Sequence, residues 1–148
     1  MEERFKTFTF LIGRITKNIR RIKTEEMSEF ELKSPHVSCL YYLYKQPNMS
    51  ASKLSEVCDE DKSAISRSLE QLEGAGYLTC NSKTKKKYNC PLELTEKGAR
   101  VAEIVVDKID AIVEVASKGL SAEKRAIFYE SLTLINDNIQ KFCDKYGV

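Results

Sequence analysis

A mostly helical α+β fold is predicted by three observations on this sequence. Apolar residues recur every three or four positions over most of the chain, the spacing of amphipathic helices. One short region breaks that rhythm: residues 77–81 and 89–94 alternate like two strands around a lysine-rich tip, as a hairpin does. Start and stop signals for helices, among them Ser34-Pro35, Pro47-Asn48, Thr95, Gly119 and Ser121, fall between the periodic segments.

A chain of 148 residues favours one domain, or one folding unit with an appended element. It can bury roughly 70% of its unfolded surface, so neither disulfides nor a metal are required for folding. Charged residues are 31% and hydrophobic ones 42%, an ordinary composition for a soluble protein. The net charge of +2 does not by itself advertise a nucleic-acid partner, so any basic footprint must be local. Lys or Arg interrupts every apolar stretch, so no membrane span is expected. The start Met1-Glu2-Glu3-Arg4 lacks the features of a signal peptide, and the expected location is the cytoplasm. Five cysteines (Cys39, Cys58, Cys80, Cys90, Cys143) form no Cys-x-x-Cys, and in a reducing compartment they read first as small buried hydrophobes.

Taken in order, residues 5–22 carry Phe5, Phe8, Leu11, Ile12, Ile15, Ile19 and Ile22 on one helical face. Residues 1–24 hold seven Lys/Arg against two Glu, so the other face is basic. A polar stretch, 23–33, leads to Ser34 as N-cap with Pro35 at the first helical position. The second helix, 35–45, contains Val37, Leu40, Tyr41, Leu43 and Tyr44. A short helix at 51–58, the acidic turn Asp59-Glu60-Asp61 and a helix at 62–74 follow, the last lined inside by Ile65, Leu69 and Leu72 and ended by Gly74 and Gly76. After the hairpin, Thr95 caps a helix to about 117, with Val101, Ile104, Val105, Ile109, Ile112, Val113 and Ala116 inward. Ser121 caps the final helix, whose stripe is Ile127, Phe128, Leu132, Ile135, Ile139 and Phe142.

Function concentrates in residues 51–78, ASKLSEVCDEDKSAISRSLEQLEGAGYL. Two short helices joined by a three-residue turn and running into a hairpin form a winged helix-turn-helix pattern. The apolar side of the second helix docks inward, leaving Lys62, Ser63, Ser66 and Arg67 on a free face able to enter a major groove. Arg can pair bidentately with guanine, Ser can serve any base, and Lys can neutralise phosphate. The hairpin tip adds Lys83, Lys85, Lys86 and Lys87 with no acid between residues 82 and 88, a handle for the phosphate backbone of double-stranded DNA.

The order of elements, the segment DKSAISRSLEQLEGAGYL and the closing LELTEKG (residues 92–98) resemble the MarR family of bacterial regulators over nearly the whole chain. The resemblance implies a winged-helix DNA-binding part over 34–97. It also implies dimerisation helices at 1–33 and 98–148, and a homodimer bound to a pseudo-palindromic operator as a repressor. It further implies control by a small ligand, an oxidant or a metal. Where family wings carry Asp-x-Arg, this chain reads Lys86-Lys87-Tyr88, and the frequent wing-start Arg falls on Cys80. Lysine is more strongly hydrated than Arg, which directs the wing toward phosphate contacts. Residues 51–81 carry three positive charges (Lys53, Lys62, Arg67) against six negative (Glu56, Asp59, Glu60, Asp61, Glu70, Glu73). Those acids favour a helix N-terminus but repel phosphate.

The family's effector pocket maps to the neighbourhood of the second helix, making His36, Tyr41 and Tyr44 the candidates here. His36 and Cys39 sit three apart, yet a single histidine cannot build a multi-His metal cage, so neither metal nor cofactor is expected. No cysteine precedes residue 39, so the reactive first-helix thiol of the peroxide-sensing branch does not carry over. A hairpin symmetric about Lys85 would oppose Cys80 and Cys90 directly, within reach of a cross-strand disulfide. No Ser-His-Asp set, phosphate loop or metal cluster points to an enzyme. A winged-helix protein-interaction module without operator binding, and a cysteine redox-responsive regulator, stand as the alternatives.

Overall fold

The computed structural model describes residues 2–58, 60–80 and 89–147, including all their side chains but those of Glu2 and Phe5. The chain divides into two compact units, residues 1–109 and 110–148.

The first unit contains α1 (Glu2–Glu26), a 3-10 turn (Ser28–Phe30), α2 (Ser34–Lys45), α3 (Ala51–Val57), α4 (Lys62–Gly74), β1 (Leu78–Cys80), β2 (Leu92–Leu94) and most of α5 (Glu96–Ala116). Its core gathers Val37, Leu40 and Leu43 of α2, Leu54 of α3, Ile65, Leu69 and Leu72 of α4, Leu78 and Leu92 of the sheet, and Val101, Ala102 and Val105 of α5. Two residues of the polar stretch expected to be a mere connection, Met27 and Leu32, are also buried there. Two isolated apolar side chains show no period, and only the backbone path carries them inward.

Local signals placed most helix ends. Ser50 Oγ accepts from Lys53 N at 3.2 Å and Asp61 caps α4, the helix whose bounds match the sequence reading. The expected cap at Ser34 is corrected: Lys33 is the N-cap and Ser34 already helical, its N–H donating to Thr24 Oγ1 at 3.2 Å. His36 then completes the helix start, its Nδ1 accepting the Lys33 N–H at 3.0 Å. Along α5 the buried positions are Val101, Ala102, Val105 and Val106. Ile104 and Val113, expected inward, are exposed.

The hairpin is shorter than the alternation suggested. β1 and β2 are antiparallel, with Leu78 opposite Leu94 and Cys80 opposite Leu92, so its symmetry centre is Lys86 and the opposition of Cys80 to Cys90 is corrected. Pro91 explains the difference: it has no N–H to donate to the ladder, so pairing starts only after it. Leu92 N donates instead to Met49 O at 3.1 Å, tying the sheet to the start of α3. Cys80 and Cys90 are nevertheless joined by a disulfide, their Cα atoms 6.0 Å apart, which corrects the reading of this pair as reduced hydrophobes. Denatured without reductant, the chain should titrate three thiols, those of Cys39, Cys58 and Cys143. Reduction should reveal all five, and five from the outset would show the wing pair open.

The second unit contains the end of α5, α6 (Ala122–Cys143) and a 3-10 turn (Asp144–Tyr146). Ser121 caps α6 as expected, its Oγ accepting from Lys124 N at 3.2 Å. None of α6 is buried: Ile127, Phe128, Leu132, Ile135, Ile139 and Phe142 all face solvent.

Candidate nucleic-acid interface

The exposed face of α4 begins at its N-cap, Asp61. Its carboxylate accepts from Ala64 N at 2.7 Å and from Ser63 Oγ at 2.6 Å, and the Ser63 bond first, the amide second, hold it below the usual carboxylate range. The acid that would repel phosphate thus serves as the cap of α4. Glu60 has a folding role as well, its carboxylate 3.7 Å from the Arg20 guanidinium of α1. One α4 face, Ile65, Ser68, Leu69 and Leu72, is buried, and Lys62, Ser63, Ser66 and Arg67 are exposed together on the other, as the periodicity predicts. The Ser63 hydroxyl is already committed to Asp61 as donor, leaving its lone pairs free to accept.

Beside this face lies a narrow groove of about 100 Å³ between α3, α4 and the sheet, bordered by Ser52, Ser55, Lys62, Ser66, Glu70 and Cys80. Ser52 and Ser55 were missed by sequence reasoning, because a seven-residue helix is too short for its periodicity to show which side faces α4. Lys83, Lys85, Lys86 and Lys87 lie outside the described residues.

The base of the wing is latched to α5. Thr95 N donates to Tyr77 O at 3.0 Å, Thr95 Oγ1 donates to Gly76 O at 2.6 Å, and the same hydroxyl accepts from Gly98 N at 3.0 Å. Lys97 Nζ donates to Ala75 O at 2.7 Å and lies over the Tyr77 ring, 4.6 Å from its centroid. The LTEKG run of the sequence is therefore the joint between wing and helix.

The three pocket candidates are not gathered together. His36 is buried, and because Nδ1 accepts from Lys33, its neutral ring carries the proton on Nε2, which donates to Gln71 Oε1 at 2.6 Å. It lines a cavity of about 480 Å³ with Leu32, Gln71, Tyr77 and Lys97, whereas Tyr41 and Tyr44 do not. Tyr41 packs edge-on to Tyr42 at 5.3 Å, and Tyr44 is exposed. Cys39 is fully buried in the core. No signal in sequence links His36 to Gln71, since the pair meets only through helix packing.

A capped helix with a free polar face, set between a preceding short helix and a two-stranded wing, defines a winged helix-turn-helix module. The chain belongs to the winged helix DNA-binding domain family, whose model matches residues 36–113. Its fold is that of MarR-type regulators. A MarR-family structure from Listeria monocytogenes solved with a 26mer DNA superposes with a TM-score of 0.79 at 23% identity, covering 86% of this chain and 85% of that one. The regulator SlyA gives a TM-score of 0.82 at 23% identity over 90% and 94%. The HTH-type transcriptional regulator YybA of Bacillus subtilis (strain 168) is 25% identical over 130 residues, 88% of this chain and 87% of its own. The family is a DNA-binding one and not enzymatic. Among the described residues, no helix is long and apolar enough to cross a membrane.

Proposed function

We propose that the protein is a sequence-specific transcriptional regulator that binds a pseudo-palindromic duplex operator as a homodimer and represses, with release by a small ligand. The observation that carries this reading is the exposed Lys62, Ser63, Ser66 and Arg67 set on a helix whose opposite face is fixed in the core. Uncovered apolar faces on α1 and α6 support the dimer. The cavity beside His36 has the size of a small-ligand site, which supports release by ligand.

Selection of bound fragments from random duplex DNA tests the reading. It should return two half-sites about one helical turn, ~10 base pairs, apart. Failure to enrich any sequence would overturn operator binding and favour a protein-interaction module. Arg67→Ala should cost ~1–3 kcal/mol of affinity and relax preference at one position of each half-site, as for a lost bidentate base contact. Replacing Lys85, Lys86 and Lys87 together by Ala should weaken binding to every sequence and flatten its salt slope by about one unit per lost phosphate contact. An unchanged slope would remove the wing from the interface.

A further inference from the structure

The basic side of α1 takes no part in the exposed face of α4 or in the cavity beside His36. From residue 4 to residue 24 the chain carries seven Lys/Arg and not one Asp or Glu. At about 100° per residue, Arg14, Lys17 and Arg21 fall within about 60° of one another, with Lys6 a little further round, on the side of the helix away from its apolar stripe. All four cations are exposed, and none has an acidic partner among the described residues. Arg14 is held on this side by Phe10, one turn earlier and itself exposed, with Cζ 5.3 Å from the ring centroid.

Two further observations give this side a direction and an opening. Arg20 of the same helix meets Glu60, 3.7 Å away, in the turn whose last residue, Asp61, caps α4. That ion pair sets the C-terminal half of α1 beside the N-terminus of α4. The row of cations begins next to it at Arg21 and runs through Lys17 and Arg14 toward the start of the helix. Gly13 lies in the same row. Glycine weakens a helix interior, and a Cβ here would meet nothing within 4 Å, so no packing among the described residues calls for it. The bare backbone leaves room for a group that approaches between Arg14 and Lys17.

We propose that this face of α1 binds the phosphate backbone of duplex DNA flanking the bases that α4 contacts, so that Arg14, Lys17 and Arg21 lengthen the footprint of each subunit. The inference rests on the operator binding and the dimer proposed above. In that dimer the apolar stripe of α1 is covered, which leaves its basic side outward. Charge and spacing name the occupant. Arg14 to Arg21 spans roughly 10 Å of helix axis, and one DNA strand offers a phosphate about every 3.4 Å of duplex axis, so three cations face about three phosphates. The proposed function brings that polyanion to the N-terminus of α4, where Arg20 and Glu60 hold α1. Such contacts carry no sequence information; they set affinity and its response to salt. They also offset the acidic balance of residues 51–81, where three cations stand against six acids.

The test compares two duplexes bound by the full chain. One is the selected operator trimmed to the bases that selection enriches; the other adds about one helical turn of unrelated sequence on each side. The extended duplex should be bound about tenfold more tightly at physiological salt. Its plot of log affinity against log salt should be steeper by about 0.9 for each added phosphate contact. Arg14→Gln, Lys17→Gln and Arg21→Gln together should remove that gain and leave the trimmed duplex bound as before. All three positions are exposed and glutamine favours a helix, so the fold should persist. Gly13→Leu, which puts a better helix former into open space, should keep the Tm or raise it and yet lose most of the gain.

Equal affinity of the unaltered chain for both duplexes overturns the proposal, as does a gain that the triple variant keeps. A gain that survives Gly13→Leu overturns the close approach at residue 13. Binding to phosphatidylserine vesicles that the triple variant loses, with no gain from the flanks, would overturn it in favour of a lipid surface. If selection returns no operator, the salt slope on a random duplex of about four helical turns decides. A slope lowered in the triple variant leaves the α1 surface standing while sequence reading falls, and an unchanged slope overturns the surface as well.

Discussion

Ile135→Asp, combined with Ile139→Asp, is expected to abolish the proposed dimer, giving monomer or aggregate by light scattering where a dimer is expected of the unaltered chain. The expectation follows from exposed surface. Along α1, Phe8, Leu11, Ile12, Ile15, Ile19 and Ile22 lie at helical spacing and are uncovered, and α6 presents Ile135 at 38% exposure and Ile139 at 50% on a stripe of its own. Monomeric proteins rarely leave contiguous apolar patches of more than a few hundred Å² in water. In the proposed dimer a second copy of the same chain brings matching faces, and a stable interface needs about 1,200–2,000 Å² in total. A carboxylate placed there would have to be buried unpaired, a cost of several kcal/mol that no neighbouring contact offsets. A doubly substituted chain that remains a dimer would place the interface on other elements.

Gly98→Ala is expected to destabilise the first unit by about 3 kcal/mol or more, because the added methyl has nowhere to go. A Cβ at this position would overlap the Tyr77 carbonyl oxygen and come within 2.7 Å of the carbonyl carbon. Both atoms are backbone, so no side chain can swing aside. The same carbonyl accepts the Thr95 N–H, so pushing it away also breaks the latch between wing and α5. A fall in Tm of roughly 6–12 °C should accompany the loss. Gly13, where a Cβ would meet nothing within 4 Å, is the control: Gly13→Ala should leave stability unchanged or raise it by up to about 1 kcal/mol. Equal effects at the two glycines would mean that the close approach at Gly98 is not maintained in solution.

The helices were legible in the sequence wherever periodicity and a cap agreed. The bounds of α4 follow from the acidic turn before it, the Ile65-Leu69-Leu72 face and the glycines at its end, and its free face, hence Lys62, Ser63, Ser66 and Arg67, follows from the same arithmetic. Ser121 and Thr95 were equally plain. A cap and a 3.6-residue period are local properties, written within one or two turns of the residues they govern.

The acidic turn shows where local reading stopped. In sequence, Glu60 and Asp61 stand against DNA binding. In the structure, one pairs with Arg20, forty residues upstream, and the other caps α4. The hairpin register turned on Pro91, a single missing N–H whose effect depends on where the partner strand lies.

The local alphabet of the chain determined the class of fold and which face of α4 is left exposed, since these depend on spacing along one element. Tertiary packing alone decided that His36 meets Gln71 and that Gly98 must be glycine because Tyr77 crosses it. Each of those pairs joins residues from different elements, and periodicity states which face of a helix is apolar but not which atom of another element will lie against it.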